Sequence, residues 1–274
     1  MELQQNLDAI QKQGLGVAAL SYDSIGALKS FADRQHITYS LLSDADSRII
    51  RTFNILNETT KPGTMTYGIP YPGVYIISAE GKVVSKYFED DYKERVSTAD
   101  ILARQFGAPV RATQNVSETD HLRITTAASN ELARPGLRIA LRLEIELKAG
   151  MHVYAPGIEG YIPIDWRLDD GGPAAKRHVF NYPPSEMLRL AAINETVPVY
   201  RGRMGIVREI TFGQEADLKL LVSPSGELVV KGSFRYQACD DRKCYIPQDV
   251  PLEWHFRYQG LDRQRAPLEF QRNN

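Results

Sequence analysis

Apolar residues recur at two different periods along this 274-residue chain, and the change of period divides it. In residues 2–12, Leu3, Leu7 and Ile10 fall on one face of a helix. Gly14 and Gly16 end that helix and lead into a short apolar strand from Val17 to Leu20. Leu28, Phe31 and Ala32 share a stripe that predicts a second amphipathic helix over 25–36. TYSLLSD predicts another strand. A third helix follows from about Ser47 to Leu56, with Asp44 or Asp46 available as its cap. PGVYIIS and KVVSKYF, joined through Ala79, Glu80 and Gly81, read as a hairpin. A helix from about Thr98 to Phe106 closes this unit at Gly107. The mixture of helices and strands indicates an α/β layer fold over residues 1–107.

Residues 108–118 turn polar and turn-rich and read as a linker. Beyond them the period becomes two. LRIALRLEIEL alternates apolar and polar residues, and MHVYAP, PIDWRL, IVREITF, LKLLVSP, LVVKGSFRYQA and PLEWHFRY follow between Gly, Pro, Asp and Ser breaks. Several such strands without a helix predict a β-sandwich over 119–274. The expected fold class is multidomain: α/β, then all-β.

Composition supports the division and excludes some functions. The length suits two domains, each burying its own core. Net charge is −1 and neither half is polarised, so no field favours nucleic acid or an anionic membrane. No apolar run approaches the roughly 18 residues of a membrane-spanning helix, and the N-terminus lacks the form of a signal peptide. Two cysteines are too few for a disulfide-stapled scaffold.

Both cysteines lie in YQACDDRKCYIP. The spacing of Cys239 and Cys244 suits facing positions on a tight hairpin, where the sulfurs could form and break a disulfide. Thiol-disulfide exchange needs a thiolate that attacks a disulfide sulfur, and a second thiol close by makes resolution intramolecular. Arg242 and Lys243 favour a thiolate while Asp240 and Asp241 oppose it, so an ordinary thiol pKa near about 8.5 is expected. Asp240 reads either as a proton relay or, more simply, as a turn residue. A purely structural disulfide here would close a very short loop and add comparatively little stability.

No histidine or further cysteine stands at zinc-like spacing, so no metal is expected, and exchange chemistry whose electrons sit on sulfur implies no bound cofactor. His152 in MHVYAP either faces the cysteines or packs at a strand end, and Tyr236 precedes the motif and packs near it. Trp166 and Trp254 read as core aromatics. The run Glu89-Asp90-Asp91 reads as a solvated loop, and His36 and His121 receive no role.

GIPYPGVYIISAEGKVV resembles the thioredoxin-fold region of peroxiredoxins of the AhpC/TSA type, a resemblance that extends over about residues 1–107. It implies a cis-proline before the hairpin, with Pro72 as the candidate because it directly precedes the strand. It also implies a reactive cysteine at the start of a helix after the central strand. This chain begins inside the corresponding helix, and no cysteine precedes Cys239. The thioredoxin-like layer is therefore expected to be incomplete, short of a mid-sheet strand whose neighbours keep unpaired backbone groups. A start inside a longer protein is one explanation; a strand swapped from a second copy in a homodimer is the other.

YQACDDRKCYIPQDVPLEW, with KAGMHVYAP, resembles the N-terminal periplasmic domain of the DsbD family of thiol-disulfide interchange proteins, over about residues 119–258. The resemblance implies an immunoglobulin-like sandwich with Cys239 and Cys244 as the exchanging pair. Cys244 would form the mixed disulfide and Tyr154 would stand beside the sulfurs. PVYRGRMGIVREITF would be a cap loop, with Tyr200 covering the disulfide. The implied partners are thioredoxin-fold redox proteins and a membrane-associated thiol reductase in a periplasmic or other extracytoplasmic compartment. The expected function is a thiol-disulfide oxidoreductase that passes reducing equivalents to a thioredoxin-fold client, without peroxidase activity from this chain alone. Two alternatives stand beside it: part of a peroxiredoxin-like peroxide reductase, and a non-enzymatic interaction protein with a structural disulfide.

Overall fold

The computed structural model describes residues 2–64, 66–89, 91, 93–106, 115–190 and 194–271. The chain divides into two compact units, Met1–Ala108 with Leu261–Asn274, and Pro109–Gly260.

In the first unit the strands Ala18–Ser21 and Ser40–Ser43 pair in parallel across the helix Ile25–Gln35, and Gly73–Ile77 pairs antiparallel with Val83–Phe88. Helix Ile25–Gln35 starts because the Ser24 side chain accepts from the Ala27 N–H, and it ends where His36 turns left-handed. The helix expected near Ser47 is short, Arg48–Thr52. Both candidate caps serve it: Asp44 accepts from the Ile49 and Ile50 N–H groups, and Asp46 from that of Arg48. The N-terminal helix is divided into Glu2–Gln5 and Leu7–Gln11, and the last one spans Thr98–Phe106. These four strands form two separate two-stranded sheets, and no strand residue in them is fully buried. A two-stranded sheet is marginal by itself. Here the helices supply the buried apolar groups, namely Leu7, Ile10, Leu28, Ile50, Ile101 and Leu102.

Pro72 departs from expectation. Every peptide bond among the described residues is trans. Its segment is instead held by an ordinary antiparallel bridge, Leu56 to Pro70, with the Tyr71 N–H on the Ile55 carbonyl. Nothing there overrides the usual trans preference, about 0.5–1 kcal/mol before proline.

Among the described residues, the regular elements of the second unit are strands apart from one short helix. Its larger sheet runs in the order Ala174–Arg177, Arg203–Phe212, Leu137–Leu147, Leu122–Ala128, Asn115–Glu118. A second sheet runs Asp165–Leu168, Glu227–Tyr236, Gln248–Tyr258, Leu132–Ala133. Alternate residues of Leu137–Leu147 are buried, as the period of two requires. Both sheets contribute to one core, in which Phe212 meets Phe256 edge-on at 5.1 Å and Trp254 stacks on Trp166 at 5.6 Å. The Trp254 indole N–H donates to the Ala127 carbonyl at 2.9 Å, so its one polar atom is satisfied inside that core.

Four sequence expectations change here. Residues 108–114 of the expected linker lie outside the described residues, but Asn115–Glu118 is a sheet strand, antiparallel to Leu122–Ala128. LKLLVSP is not a strand: Glu215–Lys219 is a helix in which only Leu218 is buried, and Leu220 is exposed. PVYRGRMGIVREITF is not a loop. It forms the strands Glu195–Arg201 and Arg203–Phe212, which leave Gly202 for different sheets, and Gly202 takes the positive φ that this corner needs. Finally, Leu261 onward belongs with the first unit, where Arg34 pairs with Asp262 at 2.7 Å and the Ser24 hydroxyl donates to the Phe270 carbonyl.

Candidate functional site

A third sheet of the second unit, Glu186–Leu190, Glu195–Arg201, His152–Tyr154, Ala238–Cys239, carries the cysteines at its end. Its two faces differ. Val153, Tyr200 and Ala238 point into the main core. Tyr154, Val197, Val199 and Cys239 form a second buried cluster, flanked by Ile158, Tyr161, Leu188 and Leu190. Strand alternation separates these sets.

Cys239 and Cys244 form a disulfide and face each other as an isolated antiparallel bridge. The turn between them is built by Asp240. One carboxylate oxygen accepts from the Arg242 and Lys243 N–H groups at 2.7 and 2.8 Å, and the other accepts from the Tyr245 hydroxyl at 2.8 Å. Backbone bonds from the Asp240 N–H to the Lys243 carbonyl and from the Tyr245 N–H to the Ala238 carbonyl close the hairpin. Those donors, first the Arg242 N–H and then the Tyr245 hydroxyl, hold the Asp240 carboxyl at about 2. Asp240 is thus the turn residue of the two roles considered; a group so acidic is poorly matched to proton relay near neutrality.

The two sulfurs are placed unequally. Cys239 is 1 % exposed, whereas Cys244 stands in the exposed part of the hairpin, two residues before the strongly exposed Ile246. The Tyr154 hydroxyl lies 3.6 Å from Cys244 Sγ and 3.7 Å from Cys239 Sγ. A disulfide sulfur has no hydrogen to give, so the hydroxyl is the donor. Burial, and then the Glu195 charge, push the Tyr154 phenol up, so it keeps its proton. Tyr161 packs tilted against Tyr154 at 4.4 Å and donates to the Glu195 carboxylate, a bond that pushes its own phenol up to about 12.

The other expected site residues divide. Tyr154 is beside the sulfurs. Tyr200 is on the opposite face of its strand from Val199, in the main core, where its hydroxyl donates to the Pro183 carbonyl at 2.8 Å; it does not cover the disulfide. Tyr236 is also in the main core and donates to Gln248. It reaches the hairpin only indirectly: its ring meets His121 edge-on, and His121 packs on Tyr245 at 4.4 Å. His152 is buried at 2 % exposure, paired across the sheet with Cys239 on one side and Arg201 on the other. Sequence reasoning missed Tyr161, Glu195 and His121. The alternation of Val197 and Val199 in ETVPVYR was a usable signal, since it already separates Val199 from Tyr200.

Among the described residues no three His, Cys, Asp or Glu side chains cluster as metal ligands, and no helix is long and apolar enough to cross a membrane.

Residues 1–86 match the model of the AhpC/TSA family. The chain is 31% identical over 91 residues to Peroxiredoxin Bcp of Escherichia coli (strain K12), covering 33% of this chain and 56% of that protein. It is 28% identical over 81 residues to Peroxiredoxin Bcp of Xanthomonas campestris pv. campestris, covering 30% and 50%. The chain thus spans about half the length of the curated relatives it matches. The matched segment lies in the first unit and holds neither cysteine. The crystal structure of the N-terminal periplasmic domain of ScsB from Proteus mirabilis aligns with 60% of this chain and 56% of its own, at 15% identity and a TM-score of 0.39, values too low to carry an argument.

Proposed function

We propose that the second unit is a thiol-disulfide exchange module whose working pair is Cys239 and Cys244. The observation that carries this reading is the asymmetry of the disulfide: Cys244 is open to solvent and Cys239 is 1 % exposed. A partner thiolate can reach only the outer sulfur. Attack on Cys244 releases Cys239 as the leaving thiolate, beside the Tyr154 hydroxyl. A bond serving only as a staple has no need of an exposed sulfur with a hydroxyl donor over it.

On this reading the partners are thioredoxin-fold proteins, with electrons supplied by a membrane-associated thiol reductase in an extracytoplasmic compartment. The sequence resemblance of YQACDDRKCYIP to the DsbD family supports that assignment, as it supports an immunoglobulin-like description of the sandwich. The thioredoxin-like first unit is the natural client class. Peroxide reduction is not assigned to residues 1–86, which contain no cysteine.

Trapping tests the proposal. Cys239→Ser, first activated at Cys244 as a mixed disulfide with thionitrobenzoate, should pass that bond to the attacking thiolate of a thioredoxin lacking its own resolving cysteine, release thionitrobenzoate and accumulate as an unresolved mixed disulfide. Cys244→Ser should accumulate little. No adduct with either variant, together with a reduction potential below about −300 mV, would make the bond structural.

A further inference from the structure

The same sheet face carries one buried group that the exchange scheme has not used. His152 is 2 % exposed, and neither ring nitrogen has a hydrogen-bond partner among the described residues. Buried polar atoms left in that state are uncommon and costly. Its neighbours are informative. His152 stands directly across the sheet from Cys239, and such side chains share a face with their Cβ atoms about 4.5–5.5 Å apart. Its ring also meets Tyr154 edge-on, 5.7 Å between centroids, and Tyr154 contacts both sulfurs.

We infer that His152 is the positioning residue for Cys239, holding an unpaired N–H that acquires its partner only when the disulfide opens. This rests on the exchange reading. A partner thiolate attacks Cys244 Sγ; a bond forms between the partner's sulfur and Cys244, the Cys244–Cys239 bond breaks, and its electron pair leaves on Cys239 Sγ. The partner's second thiolate then displaces Cys244. The partner ends as a disulfide and this pair ends reduced by the same two electrons. Once that bond has broken, the imidazole N–H donates to the Cys239 thiolate, and no proton leaves the ring.

The charged groups around the imidazole suit that role. Arg201 faces it from one neighbouring strand, Asp240 and Asp241 from the hairpin, and Tyr154 from its own strand. Burial and then Arg201 hold the ring below its ordinary pKa, against the pull of Asp241 and Asp240. A neutral imidazole offers one donor and one acceptor. The donor meets the thiolate, so His152 favours the reduced pair.

Full-length His152→Phe and His152→Gln proteins, equilibrated with glutathione at pH 7, test this. The phenylalanine variant should shift the equilibrium toward the disulfide by about tenfold, about 30 mV. The glutamine variant, which keeps an N–H, should recover most of that loss. In reduced protein with Cys244→Ser, the Cys239 thiol should titrate higher with His152→Phe. Nitrogen NMR of the wild-type ring, which needs no variant to fold, should show a shift on reduction. Unchanged ring resonances, or equal potentials and thiol titrations in variants that still exchange, overturn the inference and leave the exchange reading standing. A wild-type pair that glutathione cannot reduce and that traps no partner removes the exchange reading, and the inference with it.

Discussion

The hydroxyl of Tyr154 lies 3.6 Å from Sγ of Cys244, the exposed cysteine of the pair. A hydroxyl gains little by donating to a disulfide but more by donating to a thiolate, where a hydrogen bond contributes about 1.5–3 kcal/mol. Its benefit therefore falls on the state formed as the bond breaks. Tyr154→Phe should slow reduction by dithiothreitol roughly tenfold in stopped-flow, with the oxidised protein's unfolding free energy changed by under about 1 kcal/mol. An unaltered rate would remove Tyr154 from the chemistry.

Tyr200 provides the contrast. It faces the main core and its hydroxyl donates to the Pro183 carbonyl. Tyr200→Phe should cost about 1 kcal/mol in denaturant unfolding, the usual net worth of such a bond, and leave the reduction rate at the wild-type value. Faster reduction would restore Tyr200 as a cover for the disulfide.

Asp240 predicts a pH dependence. Its folded carboxyl sits at about 2, below the unfolded value of about 3.9. A group depressed on folding stabilises fully above its unfolded pKa, and that contribution is lost as pH falls through the folded value. Wild type should therefore exceed Asp240→Ala in denaturant midpoint at pH 5, and the two should converge between about pH 4 and 2. A constant gap across that window would assign the difference to something other than the carboxylate.

Trp254 tests the core that supports the site. It is 1 % exposed, stacked on Trp166 and bonded to the Ala127 carbonyl. Trp254→Ala should destabilise the all-β unit by about 3–5 kcal/mol in chemical denaturation. A loss below about 1 kcal/mol would mean that the two sheets do not share one packed core.

Gly232 is held by close approach. A Cβ there would stand 2.2 Å from the Arg167 carbonyl oxygen of the paired strand. That carbonyl and the Gly232 Cα both belong to backbone fixed in a ladder, so neither can move aside cheaply. Gly232→Ala should lower stability by about 1–3 kcal/mol, as overpacking does, and unchanged denaturation would show that the ladder gives way.

Much of this arrangement was legible in the residues. The alternation in LRIALRLEIEL and PLEWHFRY follows from the period of a half-buried strand, and both segments are long strands. LKLLVSP misled because a short apolar run suits a strand and a helix turn equally, and burial of Leu218 alone decided between them. Pro72 was assigned by resemblance, and its local bridge kept the default isomer. The C-terminal segment LDRQRAPLEF shows no period, so its place beside Arg34 rests on an ion pair that sequence spacing cannot reveal.

The sequence by itself determined the chemistry these 274 residues carry: one pair of thiols, a turn with acidic residues between them, and an α/β segment without cysteine before an alternating one. These depend on residue type and local period, which the chain carries in order. Only the tertiary structure decided which side chains serve the pair. Strand register brings His152 opposite Cys239, 87 positions away in the chain, and puts Tyr154 over the sulfurs while turning Tyr200 inward. A shift of one residue in that register would exchange the two faces of the strand. Register is set by the pairing of distant segments, and so the surroundings of the disulfide are a property of the fold.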